Sequence, residues 1–377
     1  MVDVMTQAER SDDFKIERLA VFDPVCLQDK TVPQRSWIWS DWIPINTTSS
    51  LYGDGGAGKT LLAQQLATAC ATGQPFLSMP VMKCRVFGVF CEDDSDELHR
   101  RQASINAAMG IDFADLENLQ WVSRVGDDNL LNTFTADGRS VRTPFANQVY
   151  QAASDFGAQL IIIDTAADTF GGNENIRGHV RQYIAQLTRM ALGRNGAVLL
   201  LAHPSATGRS SGNGDGGSTA WNNSVRSRIY IKRQEMVNGE TPDPDIRILS
   251  RMKANYAAAN VDLTLRYKSG AFDLEGLQAG DDPSTFDRSQ AADTAFLTGM
   301  GELNQQKMRV NIHRGQANYA PKSLREKTDC CSSFSEKELA AAMNRLIRSK
   351  RIASVEEGPP SRRRSFLAVV SPPIPGL

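Results

Sequence analysis

The chain has 377 residues, 41% of them hydrophobic, and its 42 Lys and Arg against 43 Asp and Glu leave a formal net charge of −1. That length suggests about two or three domains with a sizeable core. No run reaches the ~18 consecutive apolar residues of a membrane span, and the start lacks the basic-then-apolar order of a secretory leader, so a cytoplasmic protein is expected.

Ahead of everything else lies a short arm, residues 1–30. Residues 48–52 are β-prone, and Gly53, Asp54, Gly55, Gly56, Ala57, Gly58, Lys59 and Thr60 then complete the pattern G-x-x-x-x-G-K-[ST]. Such a loop lets backbone N–H groups converge on phosphates. Lys59 can reach the β- and γ-phosphates and the Thr60 hydroxyl can hold Mg²⁺. Leu61 opens an apolar run at helical spacing that ends near Gly73 and Pro75. Strand, glycine loop and helix in that order aim a helix N-terminus at the phosphates, and ATP with Mg²⁺ is the expected ligand pair.

Residues 85–91, 159–164 and 196–202 read as buried strands, with helices at 95–109, 143–156 and 176–194 between them. Continuous apolar strands separated by helices predict a mostly parallel sheet covered on both faces. Asp164 ends the most apolar strand, where a carboxylate associated with Mg²⁺ belongs. Glu92 ends the strand before it and opens the acidic run 92–97. A carboxylate there is placed to orient a water against the γ-phosphate, while Asp93, Asp94 and Ser95 read as the cap of the next helix. From about 226 the segments 226–233, 246–253, 261–267 and 271–275 alternate and are joined by turn residues, which predicts antiparallel hairpins at the sheet edge.

Residues 276–288 read as a linker. Beyond it come helical stretches at 289–300 and 302–313. A capping box at 335–338 then opens a helix over 339–349 that carries Arg345 and Arg348, and two short strands flank Arg362, Arg363 and Arg364. Residues 289–377 therefore read as a small winged-helix-like domain, which contacts either DNA or protein. Charge follows this division: residues 285–377 hold 15 Lys and Arg against 9 Asp and Glu, so the tail is the basic part. The six cysteines form no C-x-x-C pair and no zinc-spaced cluster, as expected of reduced thiols.

Several of these pieces together resemble RecA-type ATPases, and more closely the RepA-type, DnaB-like hexameric replicative helicases of plasmids, phages and prophages. The residues that carry the likeness are Trp37-Ile38, Trp42-Ile43-Pro44, the phosphate loop, Glu92-Asp93-Asp94, Ile161-Ile-Ile-Asp164, Leu201-Ala-His203 and Gly217-Ser-Thr-Ala-Trp221. The likeness implies a RecA-like ATPase domain over 31–275, a homo-oligomeric ring and single-stranded DNA in a central channel. It implies that His203 senses the γ-phosphate, a satisfied structural histidine being the alternative. It implies that the glycine-rich stretch 205–218 faces DNA through Arg209, with Arg177 in the loop after Asp164 as a weaker candidate; an ordinary surface loop is the other reading. It implies a cation acting on a neighbour's nucleotide, from Arg226 and Arg228 or from Arg251 and Lys253, the latter pair expected on one face of a strand. Within the same fold a recombination or signalling ATPase that switches assembly stays open, as does a DNA-binding loading adaptor.

Overall fold

The computed structural model describes residues 21–204, 219–234, 242–257, 261–275, 283–348, 351–357 and 364–369. The chain divides into two units, Met1–Arg35 and Ser36–Leu377. In the first, a single turn of 3-10 helix at Pro24–Leu27 starts where the Asp23 carboxylate accepts the Val25 N–H at 3.0 Å, and Pro24 supplies a preset φ. Val21, Phe22, Val25, Leu27 and Val32 of this segment are exposed.

The second unit begins with β1 (Trp37–Trp39), β2 (Ile43–Pro44) and β3 (Thr47–Gly53), followed by α1 (Lys59–Thr72), β4 (Val86–Phe90), α2 (Ser95–Met109) and β5 (Leu119–Ser123). A small hairpin, β6 (Asn132–Phe134) with β7 (Ser140–Arg142), leads to α3 (Pro144–Phe156), β8 (Leu160–Asp164), the one-turn α4 (Ala166–Thr169), α5 (Arg177–Leu192), β9 (Ala197–Ala202) and α6 (Thr219–Ser224). Four strands close the domain: β10 (Ser227–Arg233), β11 (Ile246–Ala254), β12 (Val261–Lys268) and β13 (Ala271–Leu274). They form one nine-stranded sheet in the order β13-β12-β11-β10-β3-β9-β8-β4-β5. Strands β10, β3, β9, β8, β4 and β5 run parallel, and β11, β12 and β13 extend the edge as antiparallel hairpins. The fold is therefore the α/β RecA-like arrangement expected.

Alternation along the buried strands sorts side chains to two cores. Leu160, Ile162, Leu199 and Leu201 join Trp39, Trp42, Phe76 and the apolar side of α1, whereas Ile161, Ile163, Val198 and Leu200 join α3, α5 and Trp221. Trp39 and Trp42 stack at 4.5 Å between ring centres, which fixes the turn between β1 and β2. Polar side chains also cross one core. Gln64 and Thr68 of α1 face Gln102 and Asn106 of α2, all buried. Gln64 Nε2 donates to Gln102 Oε1 at 3.0 Å, and Gln102 Nε2 donates to Thr68 Oγ1 at 2.9 Å and Asn106 Oδ1 at 2.8 Å.

The C-terminal part has its own core around Phe296, Leu324, Leu339 and Leu346. Its elements are α7 (Pro283–Gln305), α8 (Ala320–Lys327), α9 (Glu336–Arg348), β14 (Ile352–Glu357) and β15 (Arg364–Val369). The Leu367 N–H donates to Val310 O at 2.7 Å, adding an extended segment between α7 and α8 to the β14–β15 pair. Two expectations change here. Helix α7 starts at Pro283, inside the stretch read as linker, and it runs unbroken to Gln305 where two helices were expected; residues 302–313 do not continue as one because Lys307 takes a φ of 57° and Val310 pairs with β15. The Ser335–Glu338 capping box forms, with Glu338 N–H on Ser335 Oγ at 3.2 Å and Ser335 N–H on Glu338 Oε2 at 2.7 Å. All six cysteines are free, and no helix among the described residues is long and apolar enough to cross a membrane.

Candidate active site

The C-terminal ends of β3, β4, β8 and β9 meet at one edge of the parallel sheet, and each delivers one element of the site. Strand β3 runs into the phosphate loop. Gly58 has a φ of 100°, and a Cβ there would sit 2.6 Å from the Phe272 ring, so this position needs glycine for both conformation and space. Lys59 follows as the first residue of α1. Its Nζ donates to Gly53 O at 2.9 Å and to Asp54 O at 3.3 Å, which draws the side chain back over the loop. Burial holds its proton affinity below the ordinary lysine value, opposed by the charges of Asp164, Glu92 and Asp54.

Thr60 Oγ1 donates to Asp164 Oδ2 at 2.7 Å, joining the start of α1 to the end of β8. Asp164 is 1% exposed, and its Oδ1 has no hydrogen-bond partner. Burial pushes its carboxyl up to about 7, against the pull of the Thr60 hydrogen bond. A buried carboxylate with an orphan oxygen beside a hydroxyl is a receptive place for a hard cation, so Thr60 and Asp164 fit Mg²⁺. No group of three or more His, Cys, Asp or Glu able to hold a metal occurs among the described residues.

Glu92 and His203 complete the constellation. The Lys59 Nζ lies 3.3 Å from His203 Nδ1, and His203 Nε2 lies 3.4 Å from Glu92 Oε1. An ammonium can only donate, so Nδ1 accepts and Nε2 carries the proton toward the carboxylate. Glu92 is held below the ordinary glutamate value, chiefly by this hydrogen bond. Side-chain exposures of 37% for His203 and 46% for Glu92 leave both open to a substrate. Asp93 is withdrawn from such chemistry by Arg101, which donates to it at 2.7 Å, and Asp94 alone caps α2 by accepting the Glu97 N–H at 2.7 Å. The expectation that Asp93 caps this helix is thereby corrected.

The candidate trans-acting cations separate. Register slips between Arg228 and Ile229, so that Arg228 opposes Lys253 and Ile229 opposes Arg251, leaving Met252 as a bulge. The alternation expected of Arg251 and Lys253 is thereby broken. Arg251, 4% exposed, lies over the Trp42 ring and donates to Asp41 O at 2.7 Å, while Lys253 donates to Asn222 O at 2.6 Å and Val225 O at 2.9 Å. Arg228 is buried over the Tyr52 ring. Arg251 and Lys253 are thus committed to internal carbonyls and Arg228 is buried against an aromatic ring, so none of the three is placed as an exposed cation toward a neighbour. Arg226 is exposed.

Of the expected DNA-contacting residues, Arg177 is exposed at the first position of α5. Arg345 is committed elsewhere: its Nη2 donates to Asp293 Oδ1 at 2.6 Å, because α9 packs on α7 there. Arg348 ends α9 and Arg364 opens β15. Arg209, Arg362, Arg363 and the whole 205–218 stretch lie outside the described residues.

Two residues escaped the sequence reading. Arg233 Nη2 donates to Gly56 O at 3.2 Å, and Arg247 Nε donates to Ala57 O at 3.1 Å. Nothing in the motif names them, since β10 and β11 reach the loop only through the order of strands in the sheet.

Residues 15–209 match the AAA_25 family, described as AAA domain. The chain is also similar to the crystal structure of a KaiC-like protein from the hyperthermophilic archaeon Pyrococcus horikoshii OT3, at 17% identity and a TM-score of 0.44, over 64% of this chain and 98% of that one. The family match takes in just over half of the sequence, and it contains the phosphate loop, Glu92, Asp164 and His203. On that extent and those residues, the chain belongs to the AAA domain family, a family of P-loop ATPases.

Proposed function

We propose that this ATPase is a ring-forming motor that acts on DNA, of the RepA/DnaB helicase type. The observation that carries the reading is the run of contacts Lys59–His203–Glu92. It ties the group that holds the phosphates to the group that would activate water, and it passes through the residue that opens the connection expected to face DNA. A γ-phosphate arriving at Lys59 competes for the His203 contact, so the nucleotide's state can be transmitted along β9 and beyond.

In this mechanism the loop N–H groups and Lys59 bind the β- and γ-phosphates. Thr60 and Asp164 are the residues that would hold Mg²⁺, which would supply neutralisation of the phosphate charge. Glu92 takes a proton from water as the water oxygen bonds to the γ-phosphorus and the bond from that phosphorus to the β–γ bridging oxygen breaks, giving ADP and inorganic phosphate. A cation from the next subunit stabilises the transferring group, with Arg226 the remaining candidate at that edge. The DNA partner is single-stranded, with the exposed Arg177 facing the channel.

The test is particle size with and without a non-hydrolysable ATP analogue, together with hydrolysis and strand displacement on forked DNA. A nucleotide-dependent hexamer, stimulation by single strands and displacement of the complement are expected. Assembly with neither stimulation nor displacement would replace the motor with an assembly switch. A monomer under every condition would remove the shared site.

A further inference from the structure

Arg233 and Arg247 stand directly opposite each other on the antiparallel strands β10 and β11. Like charges so placed repel, and the Arg233 charge adds to burial in holding Arg247 below the ordinary arginine value. Something must offset that repulsion, and both guanidiniums spend donors on the phosphate loop. Arg233 takes the Gly56 carbonyl at 3.2 Å. Arg247 takes the Ala57 carbonyl at 3.1 Å, while its Nη1 is anchored to Pro244 O at 2.6 Å and Ile246 O at 2.9 Å.

We infer that Arg233 and Arg247 are positioning residues for nucleotide binding, which hold the phosphate loop in its receiving shape from outside. In a trans peptide the carbonyl and the following N–H point in opposite directions. Fixing the Gly56 and Ala57 carbonyls toward the arginines therefore fixes the N–H groups of Ala57 and Gly58 on the other side of the chain. The need is set by the sequence. Gly56 and Gly58 take φ values of 68° and 100°, and residues so permissive supply little stiffness themselves. Phe272 of β13, against Gly58, adds a third contact from the same antiparallel extension. The hairpins that broaden the sheet thus form part of the nucleotide site, although no hairpin residue need touch the nucleotide. The inference rests on the reading of this loop as an ATP site, and it does not require DNA or ring assembly.

The test uses the full chain, with ADP and a non-hydrolysable ATP analogue titrated calorimetrically into Arg233→Gln, Arg247→Gln and the double variant. Each single change should weaken both nucleotides about tenfold, the scale of one charge-assisted hydrogen bond. The KM for ATP should rise with kcat within about twofold, the pattern of lost ground-state and transition-state binding alike. Arg233→Lys should recover much of the affinity because a single donor suffices there. Arg247→Lys should not, since Nε and Nη1 act on different carbonyls at once. Arg266→Gln is the control: that side chain pairs with Glu275 at 2.7 Å and Asp243 at 2.9 Å on the same hairpins without meeting the loop, so its loss should leave ADP affinity unchanged. Unchanged ADP affinity in the double variant, or a fall in kcat with KM constant, would overturn the inference while leaving the ATPase reading intact. No nucleotide binding by the unaltered chain would overturn both.

Discussion

His203 Nε2 lies 3.4 Å from Glu92 Oε1, joining the ends of β9 and β4 across the intervening β8. Glu92→Gln keeps the shape of this contact and removes the base. Hydrolysis should fall by at least about a hundredfold, as for loss of a general base, with ATP binding retained; Lys59→Ala should instead weaken binding itself. Phosphate release and nucleotide titration on the two variants separate these outcomes. A Glu92→Gln protein that hydrolyses ATP at the normal rate would unseat this assignment, and neither Asp93 nor Asp94 is free to inherit it.

The same contact sets a pH dependence. Glu92 works as a base only when ionised, and His203 holds its carboxyl below the ordinary glutamate value. Removing the imidazole in His203→Ala lets that value rise, so the acid limb of the hydrolysis profile should move to higher pH. An acid limb that stays in place while the plateau falls would assign His203 to phosphate sensing alone.

Asp164 makes the opposite electrostatic bargain. Its folded-state value of about 7 exceeds that of an unfolded aspartate, so its contribution to stability is present at low pH and is lost as pH rises through 7. In nucleotide-free, metal-free protein, Asp164→Asn should therefore raise the melting temperature at pH 8 by on the order of 5 °C and by distinctly less at pH 5. The same change should abolish hydrolysis. Equal melting shifts at both pH values would show that the carboxyl is not neutral in the resting fold.

Much of this site was legible because its chemistry is local. The phosphate loop, Asp164 and Glu92 each end a strand whose apolar run is visible in one dimension. What escaped depends on neighbours far apart in sequence. Arg233 and Arg247 touch the loop only because β10 pairs with β3 in parallel. Arg251 and Lys253 fit an alternating pattern, and only the Met252 bulge sends them to different partners. Edge strand β5 and hairpin β6–β7 were missed because their residues, partly exposed, lack a continuous apolar signal. Helix α7 was misread as a linker at its start because polar Asp, Ser and Thr residues are common to both.

Arg251→Ala tests the structural assignment of that residue. It leaves the Asp41 carbonyl without a donor and exposes the Trp42 face, and should lower stability by about 2 kcal/mol or more. In mixed assemblies, hydrolysis should fall only in proportion to the variant's share. A steeper fall would return Arg251 to a role at a neighbouring site.

Arg345 should behave as a packing residue of the C-terminal domain. Arg345→Ala leaves Asp293 half-enclosed without its partner, and the domain should lose about 1–3 kcal/mol. Asp293→Asn in the same chain should restore much of it. A DNA-affinity loss in the single variant that persists in the double one, with the domain's melting restored, would instead indicate direct contact.

The amide ladder between α1 and α2 bears on how this chain can change over time. Gln64 donates to Gln102 Oε1, and Gln102 in turn donates to Thr68 and Asn106. Replacing Gln64 alone therefore strands the Gln102 oxygen, and replacing Gln102 alone strands the oxygens of Thr68 and Asn106 in the buried interior. A drift from glutamines to aliphatic residues has to cross a less stable intermediate or change both positions together. These two positions should therefore co-vary among related sequences, and since α1 carries Lys59 while α2 follows Glu92, that pairing links the histories of two helices that share no catalytic atom.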